Sequence, residues 1–168
     1  MPTLDGLETE RLTLRRQREE DAGVFHQLWT ERDERVPAHR RIDADGHPDV
    51  QDIVEHIRGS DTSKPGLLTV VLRETGEVLG YCGIAWHGDE PELAFELLRV
   101  AHNRGYATEA GRAVLDWARA AGYSQLGASV WDWNLASRRA LEKLGFRETD
   151  VVTNQSVHGR SLMTVREL

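Results

Sequence analysis

The stretch HNRGYATEAG, from His102 to Gly111, combines residue types at a spacing that suits the binding of an anion. It follows an apolar run and opens a segment of helical periodicity, so Gly105 lies at the entrance of a helix. The first backbone N–H groups of a helix have no partners within it and lie at the positive end of its dipole. A phosphate there would accept several of these hydrogen bonds, and Arg104 could add a charged one. The alternative interpretation is a plain strand-to-helix turn that uses glycine for its backbone angles.

The two better-known phosphate-binding loops are absent from the sequence. There is no G-x-x-x-x-G-K-S/T, which argues against a P-loop nucleotidase. There is also no G-x-G-x-x-G after a strand, which argues against a dinucleotide site. Beside Gly105, the small side chains of Ala107 and Thr108 keep the first helical turn narrow. A phosphate bound at this helix entrance therefore belongs to another class of ligand.

The elements on either side of the helix entrance are a strand and a long helix. The strand, residues 92–98, alternates cleanly, so Glu92 and Glu96 share one face of it. The helix, residues 106–121, keeps an apolar period of 3.6 and stops at a glycine. Both carboxylates are thus predicted to lie on one face of the strand that leads into the anion site.

The rest of the chain predicts a succession of strands and helices. Further strands are expected at residues 10–16, 67–74, 77–86, 124–133, about 146–153 and 161–168. Further helices are expected at 19–34 and 50–57 and, headed by Asn134, from 135 to Gly145. Strands that alternate with helices in the second half indicate an α/β (α+β) fold with a mixed sheet. The length of 168 residues fits a single domain, residues 1–168.

Composition argues against several classes of function. With 28 acidic and 21 basic side chains the net charge is -7, which disfavours nucleic acid or an anionic membrane as a partner. The sequence shows neither a secretory signal nor an apolar span, and its single cysteine cannot form an internal disulfide. We therefore expect a cytoplasmic protein. The seven histidines show no spacing typical of a metal site, so no metal is assigned.

Three long runs carry a family resemblance. ELAFELLRVAHNRGYATEAGRAVLDWARAAGY, followed by SVWDWNLASRRALEKLGF, resembles the GNAT superfamily of N-acetyltransferases. The similarity is strongest to the branch of the ribosomal-protein alanine acetyltransferases, the RimJ/RimL type. LETERLTLRRQREEDA resembles the first strand and helix of that branch. The resemblance covers nearly the whole chain in matching order, apart from the loop at about 35–48.

The resemblance implies the GNAT fold and acetyl-CoA as the cosubstrate. The fold would be a central mixed, mostly antiparallel sheet of about six to seven strands flanked by about four helices. Acetyl-CoA would lie between the splayed parallel strands at 92–98 and 124–133, the fourth and fifth. Its pyrophosphate would cap the bare helix entrance, and its pantetheine would bond to the backbone of the first strand. The resemblance implies these coenzyme-binding residues: Leu97, Leu98, Val100, His102, Asn103, Arg104, Gly105, Tyr106, Ala107, Thr108, Asn134, Ser137 and Arg138.

The predicted chemistry is acetyl transfer by direct attack of an amine on the thioester. This requires a neutral amine, a positioned thioester, an oxyanion donor and a proton for the thiolate. Glu92 or Glu96 would be the base, the alternative being that both are solvated strand charges. By resemblance, a backbone N–H near Leu98 would hold the oxyanion and Ser137 would lie near the thiol. A simple helix N-cap explains Asn134 and Ser137 equally well.

The sequence leaves the acceptor and the presence of turnover open. Trp131 and Trp133 alternate on one predicted strand, where they would line an acceptor pocket or belong to the core. We predict an N-acetyltransferase acting on a primary amine, either a protein or peptide amino terminus or a small amine. Many members of the superfamily have a tyrosine general acid where this chain has Leu141. The alternative is therefore a catalytically silent module of the same fold that binds an acyl-CoA or a partner. A homodimer is implied only by the family.

Overall fold

The computed structural model describes residues 2–168 as eight strands and four α-helices. The strands are β1 (Gly6–Glu8), β2 (Leu12–Arg16), β3 (Leu67–Leu72), β4 (Val78–His87), β5 (Glu90–Leu97), β6 (Gln125–Trp131), β7 (Arg147–Ser156) and β8 (Gly159–Glu167). The helices are α1 (Ala22–Glu31), α2 (Val50–Arg58), α3 (Tyr106–Ala120) and α4 (Leu135–Lys143), with 3₁₀ turns at Glu19–Asp21, Ala38–Arg40 and Arg99–Ala101.

All eight strands form one sheet in the order β1-β2-β3-β4-β5-β6-β8-β7. Every neighbouring pair is antiparallel except β5 and β6. These two pair only where Glu92 lies opposite Gly127, so the parallel strands diverge beyond that point. The predicted fold class is confirmed, including the splayed parallel pair. The strand beyond the predicted number is β1, whose three residues are too few to show alternation.

The sheet buries a different set of side chains on each face. Leu93 and Leu97 of β5 belong to the larger core, which also holds the apolar stripe of α3. Phe25 of α1 and Ile53 of α2 form a smaller core. The helices α3 and α4 approach closely at Gly111, where an added Cβ would lie 2.6 Å from Leu144 Cδ1. The alternation of β5 therefore turns Glu92 and Glu96 away from the larger core.

A buried ion pair fixes the entrance of α1. The carboxylate of Asp21 is 1% exposed and accepts both guanidinium Nη atoms of Arg15 at 2.9 Å. It also accepts the Thr69 hydroxyl at 2.7 Å and the Arg18 N–H at 2.9 Å. These hydrogen bonds tie the start of α1 to β2 and β3.

The prediction of a helix from Glu19 to Glu34 was wrong at both ends. Its first residues form a 3₁₀ turn, and α1 ends at Glu31 because Arg32 takes an extended conformation. From there its guanidinium reaches Glu96 of β5. Tertiary contact has overridden helix propensity here. Across residues 2–168, every helix is too short or too polar to cross a bilayer.

Candidate active site

Glu92 lies at the junction of β5 and β6 as a buried carboxylate. Glu92 is 6% exposed, although it belongs to β5, which borders the cleft between the diverging strands β5 and β6. The Ser129 hydroxyl donates to Oε1 at 2.6 Å, and Nε2 of His87 lies 2.8 Å from Oε2. Both carboxylate oxygens thus have a partner, one from each neighbouring strand. Sequence reasoning selected Glu92 but not His87 or Ser129.

Glu96, the other predicted base, is held in a different set of contacts. Its carboxylate accepts Nε and Nη2 of Arg32 at 3.1 Å each, and the Tyr81 hydroxyl at 2.9 Å. Arg32 also stacks on the ring of Trp29 at 4.0 Å. Burial and the Glu96 carboxylate raise the pKa of Tyr81 well above its usual range, so the phenol stays a donor. The structure therefore commits Glu96 to an ion pair that anchors the end of α1.

The entrance of α3 matches the predicted anion site in geometry. Gly105 is the N-cap in the left-handed region, with φ of 79°, and Asn103 just before it has φ of 60°. No side chain caps this helix, and within residues 2–168 no acceptor is bonded to the N–H groups of Tyr106, Ala107 or Thr108. Arg104 is exposed beside them. Several backbone donors and one cation therefore converge on open space.

The turn between β1 and β2 supports this helix entrance from outside. Arg11 donates through Nη1 to the Arg104 carbonyl at 2.9 Å and stacks on the Tyr106 ring at 4.4 Å. Glu109, in the first turn of α3, accepts Arg11 Nε at 2.8 Å and the Thr9 hydroxyl at 2.6 Å. Burial raises the pKa of Glu109, but these hydrogen bonds outweigh it and the net shift is downward. Arg11 and Glu109 lie in two of the segments that resemble the family, but the sequence did not predict that they are in contact.

One edge of β5 offers free backbone groups to the cleft. The Leu98 N–H donates to the Leu79 carbonyl at 2.8 Å, so it is committed to β4. Backbone groups alternate in direction along a strand, so the N–H groups of Phe95 and Leu97 point toward β6. Nε2 of His102 lies 2.8 Å from the Leu97 carbonyl and must donate, because a carbonyl only accepts. The Leu98 N–H itself is therefore not free, whereas the N–H groups of Phe95 and Leu97 face the side of β5 away from β4.

The predicted residues that follow β5 and β6 are brought to both sides of the cleft. Val100 is 71% exposed in the 3₁₀ turn that leads to the anion site. Asn134 caps α4 by accepting the Ser137 N–H at 3.2 Å, while no hydrogen bond involves the Ser137 hydroxyl within residues 2–168. Arg138 donates to both Glu148 oxygens, at 2.7 and 3.0 Å, and Glu148 raises its pKa. The Arg138 guanidinium is thus already engaged in holding α4 to β7.

The two tryptophans stack, although only one of them lies in a strand. The prediction of a strand through Trp133 was wrong, because β6 ends at Trp131 and a tight turn leads into α4. Their rings are nearly parallel, at 10°, with centroids 6.4 Å apart. Trp133 Nε1 donates to the His158 carbonyl at 2.8 Å, and Arg35 covers its ring at 4.2 Å. Three segments therefore meet here: the α1–α2 loop, the end of β6 and the β7–β8 turn.

Two further side chains, Leu141 and Cys82, belong to the core. Leu141, at the usual tyrosine position of the superfamily, is 3% exposed in the larger core. Cys82 is fully buried on β4, and burial raises the pKa of its thiol to about 12. Neither residue can donate a proton to a leaving thiolate or act as a nucleophile at neutral pH.

The fold and the site define a GNAT acetyltransferase domain. The model of the family described as "Acetyltransferase (GNAT) domain" matches residues 11–147, and the chain belongs to this family. It is 30% identical over 155 residues to the uncharacterized N-acetyltransferase p20 of Bacillus licheniformis, which covers 86% of this chain and 84% of that protein. The prediction of an N-acetyltransferase is therefore confirmed.

Solved structures share the whole fold. A GNAT-family acetyltransferase from Bacillus anthracis superposes with a TM-score of 0.79 at 18% identity, covering 96% of this chain and 98% of the other. RimL, a ribosomal L7/L12 α-N-protein acetyltransferase solved in complex with coenzyme A, gives a TM-score of 0.78 at 12% identity, covering 98% of both chains. The predicted likeness to the RimJ/RimL type thus holds at the level of the fold.

Proposed function

We propose that this protein transfers the acetyl group of acetyl-CoA to a primary amine, with the base centre at Glu92. The observation that carries this assignment is the buried Glu92 carboxylate at the only point where β5 and β6 pair. The open edge of β5 begins directly beyond that point. If the acyl-carrying chain of the coenzyme lies along this open edge of β5, its acyl end comes to lie beside the Glu92 carboxylate.

The residues present fit the coenzyme at two places. The uncapped N–H groups at the start of α3 suit a pyrophosphate, and Arg104 adds a positive charge. The free edge of β5 at Phe95 and Leu97 suits the amide groups of pantetheine, which can pair with it as a short strand would. Acetyl-CoA supplies the activated acyl group. This chain supplies the surfaces that orient it.

The reaction then needs three contributions from the protein. The base centre at Glu92 removes a proton from the ammonium, so that the amine can attack the thioester carbon. The N–H of Phe95 or Leu97 donates to the oxyanion that forms there. The C–S bond breaks, and the thiolate takes the second proton of the nitrogen, directly or through water held by Ser137. A thiol with a pKa near 8.5 needs little help to leave.

The acceptor is proposed as a primary amine that enters between the tryptophans and the α1–α2 loop. The stacked rings of Trp131 and Trp133 give this entrance an aromatic wall. Indole faces attract cations, as the Arg35 guanidinium over the Trp133 ring shows, and this suits an ammonium group. Because RimL acts on a protein α-amino group, a peptide amino terminus is the first acceptor to test. We propose cytoplasmic action and no metal, and a homodimer stays a prediction from the family.

The test is thiol release from acetyl-CoA against a panel of amines. The panel holds peptides with amino-terminal alanine, serine and methionine, spermidine, and an aminoglycoside. We expect at least one acceptor to turn over and Glu92→Gln to lower kcat by about 100-fold, the scale of general-base catalysis. Glu77→Gln is the control, because Glu77 lies exposed in the connection between β3 and β4, outside the proposed site.

Two outcomes would count against the proposal. Silence of the whole panel, with coenzyme A still bound, would remove the primary amine as the acceptor class. Equal rates for Glu92→Gln and the parent would remove Glu92 as the base centre. Ser137→Ala, measured in parallel, reports whether the hydroxyl assists the thiolate.

A further inference from the structure

The Glu92 carboxylate is poorly placed to meet an incoming ammonium by itself. Its residue is 6% exposed, and each oxygen already accepts or faces a donor. The side chain of His87, by contrast, is 68% exposed and lies 2.8 Å from Oε2 through Nε2. A base must be reachable by its substrate and must return its proton to solvent in each cycle. His87 meets both requirements, so it is the exposed member of the base centre at Glu92.

The sheet brings His87 and Glu92 together by register. Ala85 of β4 lies directly opposite Glu92, so His87, two residues further along β4, is a diagonal neighbour on the same face. On the other side Gly127 of β6 lies opposite Glu92, and Ser129 is the diagonal neighbour. The two directly opposite residues are small. They leave room for the carboxylate to turn between the imidazole and the hydroxyl.

The Glu92 side chain packs against Gly127 of β6. A Cβ added there would be in ordinary contact with Glu92 Cγ, at 3.4 Å, and closer, at 3.2 Å, to the sulfur of Met163. The stem of Glu92 therefore lies directly over the backbone of β6. The Ser129 hydroxyl, at 2.6 Å from Oε1, then fixes the plane of the carboxylate toward His87.

We propose that His87 is the residue that receives the proton of the acceptor ammonium, in a hydrogen-bonded His87–Glu92–Ser129 triad on three adjacent strands. The inference rests on the proposed acetyl transfer and names the atom at which its base acts. The contact between Nε2 and the Glu92 Oε2, in which the carboxylate oxygen accepts, holds the tautomer with a proton on Nε2 and leaves the lone pair of Nδ1 free. Nδ1 takes the proton, directly or through one water, and Glu92 stabilises the imidazolium.

The step balances over one turnover. An alkylammonium and acetyl-CoA give the acetamide, the CoA thiol and one proton. The C–N bond forms and the C–S bond breaks. Of the two protons that leave nitrogen, one passes to Nδ1 of His87 and then to solvent, and the other protonates the thiolate. The exposure of His87 provides the exit, and no other reactant is consumed.

Neighbouring groups do not offer the same function. Asp89 lies in the β4–β5 turn and Glu90 begins β5, and both are exposed. Glu90 lies opposite His87 in the register, but within residues 2–168 neither carboxylate forms a hydrogen bond or ion pair with Glu92 or His87. Ser129 contacts Glu92 as a hydroxyl donor and does not titrate near neutral pH. Among the groups that touch the carboxylate, the imidazole is the one that has a ring nitrogen with a lone pair to accept a proton.

The experiment compares two substitutions of His87 in the full chain, with the best acceptor of the amine panel. His87→Gln keeps an N–H donor for Glu92 but cannot take a proton, so kcat should fall about 100-fold. Acceptor KM and the midpoint of thermal unfolding should change little. His87→Ala should lose a similar factor and recover part of it when free imidazole is added to the assay. His56→Gln, an exposed histidine on α2, is the matched control.

The outcomes separate this inference from the proposed function. An active parent with His87→Gln within twofold of its kcat would overturn the role of His87 and leave acetyl transfer standing. A low rate for His87→Ala without rescue by imidazole, together with full activity of His87→Gln, would assign His87 a positioning role only. A parent that acetylates no amine would remove the proposed function, and the inference with it.

Discussion

The Glu109 carboxylate lies 2.8 Å from Nε of Arg11, which joins two parts of the chain 98 residues apart. Glu109 belongs to the first turn of α3, and Arg11 to the turn between β1 and β2. The same guanidinium donates to the Arg104 carbonyl, in the loop that leads into α3. The shape of the proposed pyrophosphate site is therefore set by contacts from an edge hairpin of the sheet.

Substituting Arg11 should weaken coenzyme binding. In Arg11→Met the Arg104 carbonyl loses its donor and the helix entrance loses a nearby charge. We expect the Kd for coenzyme A, measured by calorimetry, to rise about fivefold, or about 1 kcal/mol. Arg112→Met, an exposed position on α3 without an ion pair within residues 2–168, is the control. Equal affinities for parent and Arg11→Met would show that the hairpin does not shape the site.

Asp21→Asn should be among the most destabilising single substitutions in this chain. It leaves the part-buried guanidinium of Arg15 without its bidentate partner. Removing one member of a buried ion pair costs about 3 kcal/mol in the free energy of unfolding. Urea unfolding measures this, and Asp5→Asn, whose carboxylate is exposed, should leave the urea midpoint nearly unchanged. A midpoint for Asp21→Asn equal to that of the parent would contradict the prediction.

The same carboxylate should make stability fall in acid. Burial raises the pKa of Asp21, but hydrogen bonds from Arg15, Arg18 and Thr69 outweigh it and the net shift is downward. A carboxyl whose pKa is lower in the folded than in the unfolded protein stabilises the fold fully above its unfolded-state pKa, about 3.9. This stabilisation is lost as the pH falls through its folded-state pKa. The stability of the parent should therefore drop below about pH 4. The curve of Asp21→Asn should be flatter over that range, and parallel curves would count against the assignment.

Glu96→Gln should act on stability more than on turnover. Arg32, whose side chain is 11% exposed, would lose its charged partner, and the free energy of unfolding should fall by about 2 kcal/mol. The loss of kcat should be smaller than for Glu92→Gln. The double variant with Arg32→Met should recover part of the stability, because the pair is coupled. Additive losses of stability in this cycle would contradict the coupling of Arg32 and Glu96. A kcat as low as that of Glu92→Gln would make Glu96 a candidate base again.

The sequence predicted the elements and the faces of the strands but not the partners across the sheet. Alternation along β5 was enough to turn Glu92 and Glu96 to one face. It could not distinguish them, because the distinction depends on Arg32 and on the neighbours β4 and β6, and strand order is set by tertiary packing. His87 could have been found: pairing the two strands about the Gly88–Asp89 turn places it diagonal to Glu92.

The sequence was also a poor guide to short and irregular segments. The glycine at the entrance of α3 was recognised from its sequence, because only a few residue types accept a φ of 79°. The end of β6 at Trp131 was not, since both tryptophans favour a strand. The strand ends in a tight turn in which the Asn134 N–H donates to the Trp131 carbonyl at 2.9 Å. The Trp133 ring is held by the His158 carbonyl of the β7–β8 turn, which lies elsewhere in the sequence. Strand propensity therefore identified the two tryptophans of the acceptor entrance but wrongly placed Trp133 in the strand.

Arg35 should govern access of the acceptor to Trp133. Its guanidinium covers the indole at 4.2 Å and is held by Asp33 through two hydrogen bonds at 2.9 Å, yet its side chain is 54% exposed. Arg35→Ala uncovers the ring and removes a positive charge from the entrance. A cationic acceptor such as spermidine should then bind better, with KM lower by about threefold, since cation–π contacts are worth about 0.5–1 kcal/mol at exposed sites. Steady-state kinetics should show kcat and the KM for acetyl-CoA unchanged. Arg119→Ala, at an exposed position at the far end of α3, is the control. A rise in the acceptor KM of Arg35→Ala would mean that Arg35 itself contacts the substrate.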